Sequence, residues 1–272
     1  MAKIQLLYLL EFLTTDPERR RKICDYMQAF KRSDGRLAVD FIAQSIGLQL
    51  LPPYLPARNS SGYDFRQGVN FAVVGATALD ASFFEERLQI TLETNYTLGV
   101  QLGWFKNLLP SLCNNFYLYC NSCTDGCLEY LNKTLFLVGE IGGNDYTEAF
   151  FRGRSLAEVR TFVPKVIDAI ASAINILIEE GAVTLVVPGK LPTGCSPAYL
   201  TYFKSCSNKD DYSKSTGCLK WPNKLAKYHN KLLQKELDRL QVLHPHPTII
   251  YADYYNAAMR FYMSPDQLGT PG

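Results

Sequence analysis

The chain is short of charge and of histidine. Its 272 residues carry a formal net charge of +2 and three histidines. So small a charge sets up no strong field for nucleic acid or for an acidic membrane surface. The basic stretch Arg19-Arg20-Arg21-Lys22 reads as a solvated helix face in preference to a localisation signal. No run looks long enough to span a bilayer. Internal repeats and charged linkers are absent, so one domain is the simplest division. The dinucleotide fingerprint G-x-G-x-x-G is missing too. Gly75 stands alone, and Gly139 to Gly143 are wrongly spaced, which argues against a dinucleotide binder. No cofactor is expected. What remains, 47% hydrophobic and 20% charged, suits one large globular α/β domain or two small ones.

Cysteine is abundant, with eight residues: Cys24, then Cys113, Cys120, Cys123 and Cys127, then Cys195, Cys206 and Cys218. The second group lacks the paired C-x2-C knuckles and nearby histidine of a zinc site, so no metal is expected. Disulfides in an exported protein fit better. Sequons at Asn59, Asn95 and Asn132 agree with export. The N-terminus does not, because Ile4 to Leu13 is short, is interrupted by Gln5 and Glu11, and lacks a small-x-small cleavage site.

The rest alternates between two periodicities. Asp34 to Gly47, Leu156 to Glu180 and Leu225 to Leu243 carry apolar residues at helical spacing. Val69 to Ala76, Leu135 to Val138, "AVTLVVPG" and "PTIIYAD" read as strands. Asn114 to Cys123 fits neither pattern and reads as a loop insertion. Strands separated by helices imply a parallel sheet covered on both faces. Working groups then gather beyond the carboxyl ends of the strands. Gly75, the turn Gly142-Gly143-Asn144-Asp145, the stretch Pro188 to Ser196 and Asp253 fall there. Taken alone, a glycine and an asparagine at such places do no more than shape turns.

Several blocks in order, "GVNFAVVGATALD", "LFLVGEIGGNDY", "VPGKLPTGCSPAYL", "GCLKWPNKLAKYHNKLLQKEL" and "TIIYADYYNAA", resemble the plant GDSL esterase/lipases, a branch of the SGNH hydrolases. The resemblance implies a three-layer α/β/α fold, flavodoxin-like, with 33–272 as a partial domain behind a divergent segment 1–32. It implies hydrolysis of an acyl ester or lipid-like small molecule, secretion, and a monomer. It casts Gly75 (backbone N–H) and Asn144 (side-chain amide) as oxyanion donors, with Gly142, Gly143 and Asp145 supporting the turn. It also suggests the disulfides Cys113–Cys127 and Cys195–Cys218.

The attacking group is the departure from the pattern. The family's nucleophile lies in a Gly-Asp-Ser block and its base in an Asp-x-x-His block, and neither occurs here. Ser196 reads as a loop cap, because Pro197 and Ala198 spoil a nucleophile elbow. Ser33 reads as a helix start. His244 and His246 precede the last strand, at its amino end. His229, between polar neighbours on a helix, reads as a surface residue. The expectation is a domain truncated at both ends and catalytically impaired, either a binder of acyl groups or an incomplete version of an active secreted esterase; the competing reading is an esterase with an unrecognised catalytic arrangement. Without the block that carries the first strand, the sheet is expected to have four strands, with Ile4 to Leu13 helical because leucine favours helix. Such a chain would be marginally stable.

Overall fold

The computed structural model describes residues 3–7, 37–57, 64–92, 94–113 and 125–267. Five strands form one sheet: β1 (Lys3–Leu7), β2 (Gly68–Asn70), β3 (Thr134–Val138), β4 (Thr184–Pro188) and β5 (Thr248–Ala252). Their order is β2-β1-β3-β4-β5, and every pairing is parallel.

β1 overturns the expectation of four strands and a helical N-terminus. Gln5 lies opposite Val69 on one side and Phe136 on the other. The physical reason is the demand of the neighbours. β2 and β3 would each present unpaired backbone groups to the gap, and buried N–H and C=O groups must be bonded. That demand outweighs a helix propensity worth a few tenths of a kcal/mol per residue. Residues 8–13 of the expected helix, Ser33, Asp34 and the 114–123 insertion lie outside the described residues.

The helices of five or more residues are α1 (Ala38–Ser45), α2 (Ala81–Leu88), α3 (Leu98–Cys113), α4 (Asp125–Asn132), α5 (Gly143–Phe151), α6 (Leu156–Arg160), α7 (Val163–Glu179), α8 (Pro197–Tyr202), α9 (Lys220–Leu243) and α10 (Tyr254–Met263). They cover both faces of the sheet. Strand alternation sends Phe136, Val138, Leu185 and Val187 into the larger core, with residues of α3, α5, α7 and α9. Leu137 goes the other way, to Val39 and Ala43 of α1. The result is the expected three layers.

Three elements depart from the expected bounds. β2 stops at Asn70, whose side chain accepts from the Ala72 N–H at 2.9 Å and turns the chain. The segment Leu156 to Glu180 is two helices, because Pro164 lacks the N–H a continuous helix would need and is tolerated only in a first turn. α9 starts at Lys220, five residues before its first buried leucine. By length and apolarity alone, Leu156–Glu179 matches a membrane-crossing helix, a match that a buried core helix also gives. In this fold its inner residues Val163, Val166, Ile170, Ile174 and Leu177 are buried in the core.

Cys113, the last residue of α3, is bonded to Cys127 of α4, and Cys195 is bonded to Cys218. The second bond ties the loop after β4 to the approach of α9.

Candidate active site

The loops after β2 and β3 meet at the carboxyl end of the sheet. Gly75 takes a left-handed φ of +82°, which glycine adopts without strain. Three hydrogen bonds cross from the second loop to the first. The Asn144 amide donates to the Ala76 carbonyl at 2.8 Å. The Asp145 carboxylate accepts from the N–H groups of Ala78 and Leu79, at 2.8 and 2.9 Å. Asn144 and Asp145 are both buried. The Asn144 nitrogen carries two hydrogens, and Ala76 takes one of them.

The turn itself is set by two glycines. Gly142 has φ +95°, and a Cβ there would stand 2.5 Å from Val166 Cγ1. Gly143 then opens α5. A side chain at Gly142 would force the Val166 side chain aside and would hold a backbone conformation that L residues rarely adopt.

Asp145 is fully enclosed, and burial pushes its carboxyl up to about 6. The bonds from Leu79 and Ala78, its own backbone N–H and the charge of Lys190 oppose that rise. It clamps the two loops together.

His229 corrects the reading of a surface histidine. It is 1% exposed. Its sequence neighbours are polar, but its neighbours on the helix are Leu225 and Leu233, one turn away on either side. Its Nδ1 shares a hydrogen bond with the Tyr146 hydroxyl at 2.8 Å. Burial, with the charge of Lys190, drives the imidazole down to about 3. Lys190, from the loop after β4, lies 3.8 Å from Glu140 Oε1, and both are 2% exposed. Neither this ion pair nor Tyr146 was singled out from the sequence. The helical period of α9 was the one available signal, since His229 and Asn230 fall on its buried stripe.

Ser196 caps α8, its hydroxyl accepting from the Tyr199 N–H. His244 is far along α9 and bonds Asn175. Asn95 and Asn132 are exposed, and Asn59 lies outside the described residues.

A five-stranded parallel sheet between helical layers, with its polar groups collected past the strand ends, is the architecture of an α/β hydrolase of the SGNH type. The family profile described as GDSL-like Lipase/Acylhydrolase matches residues 20–267. A GDSL esterase/lipase of Arabidopsis thaliana is 48% identical over 237 residues, covering 87% of this chain and 58% of that protein. A protein of Brassica napus named sinapine esterase shares 48% over 237 residues, with the same two coverages. A further Arabidopsis thaliana GDSL esterase/lipase is 48% identical over 242 residues, covering 88% of this chain and 63% of that protein. The chain belongs to the GDSL esterase/lipase family. It spans about 58% of the length of the first two of these relatives.

Proposed function

We propose that this chain binds the acyl group of a carboxylic ester or lipid-like molecule and presents two oxyanion donors to it, the Gly75 N–H and the Asn144 amide. The observation that carries this is the Asn144–Ala76 bond, which supports a place for the amide beside Gly75 at the strand ends. A tetrahedral oxyanion needs fixed donors, and removing one typically costs about 100- to 1,000-fold in rate. No Gly-Asp-Ser or Asp-x-x-His occurs in the 272 residues, so the chain by itself is a binder with little or no turnover. We take it to act as a monomer.

The test is hydrolysis of a short-chain aryl ester. The purified chain is expected to be no faster than its Gly75→Ala/Asn144→Ala variant. Turnover with a burst, and a serine labelled by a fluorophosphonate, would overturn the impaired reading and identify the nucleophile.

The fraction of the relatives' length that the chain covers favours a second reading. Here the full coding transcript restores both missing blocks, and the protein is a complete esterase. Sequencing that transcript decides between them.

We also place the protein in the secretory path. Its two disulfides suit an oxidising compartment, and Asn95 and Asn132 are open to modification. Expressed behind a secretion leader in plant cells, it should gain mass at those two residues, reversed by a glycosidase. An unmodified secreted product would count against glycosylation.

A further inference from the structure

Asn144, Asp145 and Tyr146 are consecutive in the first turn of α5. Successive helical residues fan out by about 100°, so the three side chains reach three different walls. Asn144 reaches Ala76, and Asp145 reaches Ala78 and Leu79. Tyr146 reaches away from both, to His229 of α9. His229 also packs against the turn's backbone, because a Cβ on Gly142 would lie 3.5 Å from its Cε1. The next residue of α9, Asn230, holds the neighbouring loop. Its side chain accepts from the Lys190 N–H at 2.6 Å and donates to the Lys190 carbonyl at 3.0 Å.

From this we infer that His229 and Tyr146 are positioning residues for the oxyanion turn: their hydrogen bond fixes the rotation of the first turn of α5, and with it the aim of the Asn144 amide. The inference rests on the function proposed above for Asn144.

Two arguments support a positioning role over simple core filling. A buried imidazole bonded to a buried phenol gives little net stability, and an apolar pair of the same volume would serve as well. The contacts are also placed for control. Asn144 and Asp145 tether the turn from the side of β2, while His229 holds it from the side of α9. A helix end tethered on one side can still roll, and one tethered on two opposed sides cannot.

The experiment is amide hydrogen exchange by NMR on the whole chain. Ala78 and Leu79 report the turn, because their N–H groups are bonded to Asp145. Ile170 and Ile174, buried in α7, report global stability. Tyr146→Phe leaves a buried His229 nitrogen without its partner and lowers stability overall, so exchange at Ala78 and Leu79 should rise about tenfold more than exchange at Ile170 and Ile174. His229→Gln keeps an acceptor for the phenol and should hold both sets near the wild-type rates. Tyr146→Phe/His229→Leu removes both polar partners, so its Tm should stay close to the wild type while the turn amides still exchange fast. Turn and α7 amides accelerating by the same factor would overturn the inference, as would wild-type protection of the turn in the double variant. Exchange is measured whether or not the chain acts on an ester. A failure of the oxyanion reading therefore shows in the ester assay alone, and a failure of the positioning role in exchange alone.

Discussion

Asp145 and His229 sit in the same buried neighbourhood, and burial moves both away from their charged forms. For Asp145 that means a carboxyl at about 6, above its ordinary 3.8. For His229 it means an imidazole at about 3, below its ordinary 6.5. The two act oppositely on stability. Below pH 6.5 the unfolded chain protonates His229 and the native chain does not, so His229 costs stability as pH falls towards 3. Between pH 3.8 and 6 the native chain holds a proton on Asp145 that the unfolded chain has lost, so Asp145 favours the fold at lower pH and that gain disappears as pH rises through 6. From about pH 4 to 6 the two protons balance, and this pair gives no slope. Below 4 only the histidine effect is left. His229→Gln should therefore gain stability between pH 6 and 4, relative to wild type, by about 2–3 kcal/mol, since a tenfold change in proton affinity corresponds to about 1.36 kcal/mol. Urea unfolding of both proteins at pH 7, 5 and 3.5 measures it, and parallel pH curves would contradict the burial argument. The sequence made one of these residues legible and hid the other. Asp145 follows two glycines at a strand end, where an acidic side chain has little to do but pin the turn. His229 is surrounded in sequence by Tyr228 and Asn230, and only residues three or four away decide which face of α9 it shares.

At the scale of elements, the sheet shows where local preference loses. Leu6, Leu7, Leu9 and Leu10 favour a helix on propensity. Lys3–Leu7 is nevertheless paired on both sides, between β2 and β3. Nothing local to that segment reveals the outcome, which is set by β2 and β3, more than 60 residues away in sequence. The other strands were legible because their apolar runs were bounded by glycine and proline. The break between α6 and α7 had a signal in Pro164, but the unbroken apolar period hid it. Because β1 is interior to the sheet, Gln5→Pro removes a ladder donor where both sides are paired. It should cost about 3 kcal/mol or more, read as a lowered urea midpoint. An unchanged midpoint would mean that residue 5 lies outside the sheet.

For the whole molecule, filling the gap with β1 removes the reason for expecting instability from the middle of the sheet. The exposed edges are then the outer ones, and they are not equivalent. Outside β2, the Asn70 N–H donates to the Pro52 carbonyl at 2.9 Å, and Pro53 bridges to Asn70. Proline there offers no donor for a further strand. Outside β5, no strand pairs among the described residues, and the Gln241 side chain of α9 accepts from the outward Ile249 N–H at 2.9 Å. β5 is also the least buried strand for which burial is described, with Ile250 44% exposed. An edge with no partner strand and an exposed isoleucine still offers its remaining backbone groups as a template for another chain, and a lysine on such an edge discourages pairing. Ile250→Lys should therefore raise the temperature at which heated protein scatters light. It should leave Tm nearly unchanged, since a substitution at a site this exposed is usually worth within about 0.5 kcal/mol. The same lysine at Val242, 84% exposed on α9 and not part of a strand, should do less. If Val242→Lys protects as well as Ile250→Lys, net charge explains the effect and the β5 edge is not the route to aggregation.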